Sequence, residues 1–118
     1  MYRFYNANAR GINSSDCTIR AISCATGKSW DYVYEHLSDI AQAQGTMMDD
    51  KNFIIDYLDR RYERLPYVYG TVGFMSNKYP ENILLITMRG HITCSKYGTV
   101  YDSFDCTNRK AEYVWIVN

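Results

Sequence analysis

The chain has 118 residues, of which 47% are apolar and 22% charged, the size and make-up of one globular domain (residues 1–118) rather than two. Lys and Arg (13) balance Asp and Glu (13), so no net field draws the protein to nucleic acid or an anionic membrane. Only 2 prolines and 15% aromatics exclude a disordered chain, and the longest apolar run, Ile83-Leu84-Leu85-Ile86, is far below the roughly 20 residues of a membrane helix.

In chain order, residues 1–15 read as irregular or partly extended, with Asn6, Asn8, Gly11, Asn13, Ser14 and Ser15 as turn formers. Asp16 suits an N-cap, and the spacing of Ile19, Ile22 and Ala25 predicts a helix from Cys17 to Thr26, stopped by Gly27. Ser29 caps a second predicted helix from Trp30 to Gln44, with Val33, Tyr34, Leu37, Ile40 and Ala41 on its apolar stripe. A third runs from Asp50 to about Tyr62, burying Phe53, Ile54, Tyr57 and Leu58. Leu65 to Tyr69 is a short strand or a link, and Thr71 caps a short helix through Met75. Ile83 to Met88 is a strand buried on both faces, because it is short, apolar and rich in β-branched residues. His91–Ser95 and Thr99–Phe104 form a hairpin across Tyr97-Gly98, and Tyr113–Val117 is the last strand. Helices first and strands afterwards is the α+β pattern, here with N-terminal helices on a C-terminal antiparallel sheet.

The N-terminal Met-Tyr-Arg-Phe-Tyr-Asn is too polar for a signal peptide. The expectation is therefore a soluble, cytoplasmic protein whose four cysteines are thiols. Cys17, Cys24, Cys94 and Cys106 match neither a disulfide framework nor a C-x-x-C motif. One of them invites chemistry. Cys17 opens a helix, where unpaired N–H groups favour a thiolate and can hold an oxyanion. His91, after the Arg89-Gly90 turn, can share its proton, and Asp102 can orient the imidazole. Cysteine on an early helix, histidine on a strand and an acid on the next strand is the layout of a thiol hydrolase. The residues alone also allow a packed cysteine and an unrelated turn histidine.

The hairpin decides between Asp102 and Asp105. Side chains alternate along a strand, so a two-residue turn at Tyr97-Gly98 brings Asp102 to the His91 face. A three-residue loop would bring Asp105 there instead, as Ser103 would follow. Glycine at position 98 suits the short primed turn.

Three stretches then carry a resemblance. They are Tyr5-Asn6-Ala7-Asn8, then Asp16-Cys17-Thr18-Ile19-Arg20-Ala21-Ile22-Ser23 with Ala25-Thr26-Gly27-Lys28-Ser29-Trp30 and Val33-Tyr34, and last Gly90-His91 with Tyr101-Asp102-Ser103-Phe104-Asp105 and Tyr113-Val114-Trp115. Together they resemble a family of small proteins of bacteriophages and prophages of Gram-positive hosts. That family opens Tyr-Asn-Pro-Asn, continues Asp-Cys-x-x-Arg-Ala and closes Gly-x-His … Tyr-Asp-x-Trp-Asp. It is similar to papain-like cysteine peptidases. The resemblance implies a papain-like fold with Cys17 as nucleophile, His91 as base and Asp102 as orienting acid. Ala7 and Ala9 stand where the family has prolines, Phe104 stands for its tryptophan, and residues 45–80 match loosely. Papain-like enzymes complete the oxyanion hole with an amide shortly before the nucleophile. Asn8 and Asn13 are the two available, and each equally suits an Asx turn.

No cofactor and no metal are expected. His91 and Cys94 fall on opposite faces of a strand, and no two close ligand pairs exist. Cys24 and Cys94 read as core. The 12 tyrosines and the Arg60-Arg61-Tyr62-Glu63-Arg64 run read as half-wet helix faces and a helix C-terminus rather than a nucleic-acid platform. His36 reads as a surface residue. The expected function is hydrolysis of a peptide or amide bond in a protein or peptide substrate, in the host cytoplasm if the phage resemblance holds. Two rivals share the fold: a non-catalytic binding protein, such as an inhibitor of a host defence protein, and an acyl transferase or deamidase.

Overall fold

The computed structural model describes residues 1–12 and 15–118. Asn13, one of the two amide candidates, lies outside the described residues. Three helices lead the chain: α1 (Cys17–Thr26), α2 (Trp30–Gln44) and α3 (Lys51–Arg61). Their ends follow the capping residues. The Ser29 hydroxyl accepts from Tyr32 N at 3.1 Å, and Asp50 Oδ1 accepts from Asn52 N at 2.9 Å and Phe53 N at 3.1 Å. Gly27 and Gly45 close α1 and α2 in the left-handed region, at φ 75° and 69°.

The strands are β1 (Tyr2–Phe4), β2 (Glu63–Arg64), β3 (Ile83–Met88), β4 (His91–Lys96), β5 (Thr99–Asp102) and β6 (Tyr113–Ile116), and α4 (Val72–Lys78) precedes β3. They form one sheet in the order β1-β5-β4-β3-β6-β2. The pairs are antiparallel except for β1, which joins β5 in parallel. The sheet is thus mixed, not wholly antiparallel as expected. The N-terminal aromatics, expected as irregular or partly extended, are extended at Tyr2–Phe4 and supply its edge.

The sheet is covered on both faces, so β3 is buried on both, as its apolar run predicts. Leu85 of β3, Ile92 and Cys94 of β4 and Trp115 of β6 pack with Ile19, Ile22, Leu37 and Leu58 of α1–α3. On the opposite face Leu84, Ile86, Val100 and Val114 pack with Val72 and Met75 of α4. That second layer is more than the short helix expected through Met75. Ser76 on the added turn shares a buried 2.6 Å hydrogen bond with Ser95 of β4. The Trp115 indole donates to Asp59 at 2.9 Å, tying α3 to β6.

Of the two readings of residues 65–69, the link holds, because the extended segment that pairs with β6 comes earlier, at Glu63–Arg64. Two smaller expectations change. β5 ends at Asp102 rather than Phe104. His36 is half-buried between α2 and α3, stacked on Tyr32 and edge-on to Tyr57, with its Nε2 3.3 Å from Arg61. No helix among the described residues is long and apolar enough to cross a membrane.

Candidate functional site

Three local features bring Cys17, His91 and Asp102 together. The first is the Tyr97-Gly98 turn. Both residues have positive φ, 53° and 84°, and Lys96 pairs with Thr99. This is the two-residue primed hairpin. Continued, its register sets Thr93 against Asp102 and so turns Asp102 to the His91 face.

The second is a splay. The β4–β5 ladder stops at Cys94–Tyr101. Beyond it β5 keeps its other neighbour: Phe4 pairs with Asp102, and the Asp102 carbonyl accepts from Tyr5 N at 2.8 Å and from the Tyr2 hydroxyl at 3.0 Å. β4 keeps β3, with Met88 opposite His91 across the Arg89-Gly90 turn. A two-residue turn closes on a hydrogen-bonded pair, so the next N–H along, that of Ile92, points away from β3. With no β5 partner there, it is left for another acceptor. The Cys17 thiol sits against that N–H and the His91 ring, close enough for both to lower its pKa.

The third feature is the start of α1. Asp16 was expected to cap it, but its side chain makes no cap hydrogen bond. Its carboxylate instead accepts from the Trp30 indole at 2.8 Å and pairs with Arg20 at 3.3 Å, both partners nearly fully buried. Arg20 also donates to Ser103 Oγ at 2.9 Å, beside Asp102. The Asp-Cys-x-x-Arg motif is therefore a one-turn clamp under Cys17. It leaves the first N–H groups of α1 unclaimed by a side-chain cap. The first helical bond, Arg20 N to the Asp16 carbonyl at 3.0 Å, leaves the Cys17 N–H outside the helix ladder.

Within this frame His91 Nε2 lies 2.7 Å from Asp102 Oδ2, with the side chains 8% and 5% exposed. Asp102 Oδ1 accepts from Ser103 N at 2.7 Å. Because Nε2 is taken by Asp102, Nδ1 is the ring nitrogen left for Cys17. Asp105 is exposed and turned to Thr107, accepting from its N at 3.0 Å and its hydroxyl at 2.6 Å. The Phe104 ring packs 4.8 Å from the His91 ring.

The charges follow this geometry. Burial pushes the Cys17 thiol up, but its hydrogen bonds to His91 and to the Ile92 N–H, with the His91 and Arg20 charges, pull it below the ordinary thiol value. Burial pushes His91 down, yet Asp102 and Cys17 outweigh it and raise the imidazole to about 9. Burial opposes ionisation of Asp102, and the hydrogen bond from His91 more than offsets it, so its pKa is lowered. Imidazolium and carboxylate are thus paired at neutral pH, and the Cys17 thiol beside them is shifted toward its thiolate form.

The sequence reading weighs Cys106 only as one of several soft metal ligands, with Cys17, His91 and Cys94, and misses its place beside Asp102. Its buried thiol lies 3.7 Å from Asp102 Oδ2, and burial with the Asp102 charge pushes it up to about 11. His91, Asp102 and Cys106 hold their ligand atoms within 4.8 Å of one another and are the groups here that could furnish a metal's ligands. His91 and Cys106 each hydrogen-bond to Asp102 Oδ2. Only the chain's return after β5 reveals this grouping, so spacing gave no signal. Asn8 is buried, and its Oδ1 accepts from Arg10 N at 3.0 Å, an Asx turn.

Two hollows meet at Cys17. A small one of about 10 Å³ touches Asp102, Arg20 and Tyr101. A larger cavity of about 260 Å³ runs from Cys17, Thr18 and His91 across to Ile54 and Ile55 of α3. Asn8 lines neither. No protein-family model, curated protein or solved structure matches the chain.

Proposed function

We propose that the protein is a papain-like thiol hydrolase that cleaves a peptide or amide bond through Cys17, His91 and Asp102. The observation that carries this reading is the linked set of contacts from the Cys17 sulfur through the His91 ring to Asp102 at 2.7 Å, at the mouth of a cavity. A buried cysteine packed as a hydrophobe needs no such partners.

The Cys17 thiolate attacks the acyl carbon, and the carbonyl oxygen gains the negative charge. The Cys17 N–H at the open start of α1 donates to that oxyanion; Asn8, the family pattern's candidate for a side-chain donor, lines neither hollow at Cys17 and takes no part in this step. The His91 imidazolium gives its proton to the leaving amine as the tetrahedral adduct collapses to a thioester. Neutral His91 then takes a proton from water, whose oxygen attacks the thioester. The acid product leaves and the thiolate–imidazolium pair is restored. Asp102 holds the ring with Nδ1 toward the sulfur and stabilises its charge. The phage-family resemblance places this work on a host or phage protein in the bacterial cytoplasm.

The test is a search for new protein termini in a bacterial lysate treated with the wild-type chain or with Cys17→Ala. The reading expects cleavage products that only the wild type generates. Deamidated products without new termini would narrow the reading to side-chain amides and overturn peptide-bond cleavage; acylated products, or stable capture of a protein with no chemistry, would overturn hydrolysis.

A further inference from the structure

The cavity at Cys17 adjoins a larger cleft of about 860 Å³, and the two share Lys51 and Met88 as lining. The cleft sits at the end of the sheet, between the start of α3, the β3–β4 turn and the loop before β6. Four cations come to it from these three elements: Lys51, Arg89, Arg109 and Lys110. One carboxylate faces them, Glu112, which lies 3.7 Å from Lys51. Arg109 lies over the Phe104 ring at 5.4 Å and makes no ion pair among the described residues. Arg89 and Lys110 are exposed and make no ion pair among the described residues. A chain of balanced net charge has thus gathered an excess of cations in the hollow beside its nucleophile.

We propose that this cleft binds an acidic segment of the polypeptide substrate and delivers the neighbouring peptide bond to Cys17. The inference rests on the hydrolase reading for the second half of that statement. Asp or Glu side chains, two or more of them, are the chemistry that complements Arg89, Arg109 and Lys110. A peptide is favoured over a nucleic acid because the cleft leads to a nucleophile suited to an acyl carbon. The cations also converge on one hollow rather than following a stripe along the surface.

The experiment uses the full chain carrying Cys17→Ala, so that binding is read without turnover. Fluorescent dodecapeptides of alternating Glu-Gly, Gln-Gly and Lys-Gly are titrated by anisotropy at low salt, with a deoxythymidine dodecamer in parallel. The Glu peptide should bind at least about tenfold tighter than the Gln peptide, and added salt should erase the difference. Arg89→Glu and Lys110→Glu should each weaken it about tenfold. Lys28→Glu, at the far end of α1, should not change it. Both cleft positions are exposed, so thermal midpoints close to the parent's are expected; if one variant fails to fold, the other and the salt series decide. Equal binding of Glu and Gln peptides, affinity indifferent to both reversals, or tighter binding of the oligonucleotide would each overturn the proposal. An unreactive Cys17 would sink the hydrolase reading while leaving this charge preference standing, so the two failures are distinct.

Discussion

Asp102 Oδ2 lies 2.7 Å from His91 Nε2 across a gap where β4 and β5 no longer pair. The gap is held open by β1 on one side and β3 on the other, each keeping its own strand. Into it reaches the Cys17 sulfur from the start of α1. The site is thus a defect in the sheet, lined by backbone groups the sheet does not use.

The acid assignment gives the first prediction. Asp102→Asn should lower turnover on any peptide the protein cleaves by at least about a hundredfold. Asp105→Asn should leave it within about twofold, because Asp105 faces Thr107. Steady-state kinetics on a peptide identified from the lysate experiment read the difference.

Much of this was legible in the sequence. Ser29, Asp50, Gly27 and Gly45 mark helix ends by local chemistry, and the Tyr97-Gly98 turn sets the parity of Asp102. Such features depend on neighbours within a few residues. Asp16 misled for a physical reason. An aspartate before a helix is read as a cap, but here Arg20 and the distant Trp30 compete for its carboxylate. β1 and Cys106 were not legible. The place of β1 depends on a strand nearly a hundred residues later, and that of Cys106 on the path after β5.

The clamp gives the second prediction. Arg20→Ala leaves Asp16 buried without its ion partner, which should cost about 3–5 kcal/mol. Urea unfolding would show it. Leu85→Ala, in the middle of β3 and fully buried, should cost about 2–5 kcal/mol as a cavity. Cys17→Ser should shift the midpoint far less, since the side chain packs little surface.

The third prediction concerns pH. His91 is held at about 9 in the folded chain against 6.5 for the free group. A raised pKa means that the folded state binds the proton more tightly. Its contribution to stability is complete below about 6.5 and is lost as pH rises through about 9. Asp102, lowered from 3.8, contributes above 3.8 and loses that as pH falls below it. Cys17, lowered, opposes this slope in the wild type. The measurement therefore uses Cys17→Ala: its unfolding free energy should decline as pH rises from 7, and adding His91→Ala should flatten that decline.

The fourth and most direct measurement is site-mapped alkylation by iodoacetamide across pH, in the wild type and in His91→Ala. Cys106 is buried and pushed up to about 11. Cys94 is fully buried, and Cys24, whose thiol Cys94 pulls down by hydrogen bonding, is only 6% exposed. Cys17 alone combines access with a lowered pKa. The account predicts that Cys17 is modified first at and below pH 7, and that His91→Ala moves its midpoint up toward the ordinary thiol value. Equal modification of all four cysteines, or a Cys17 profile indifferent to His91→Ala, would contradict it.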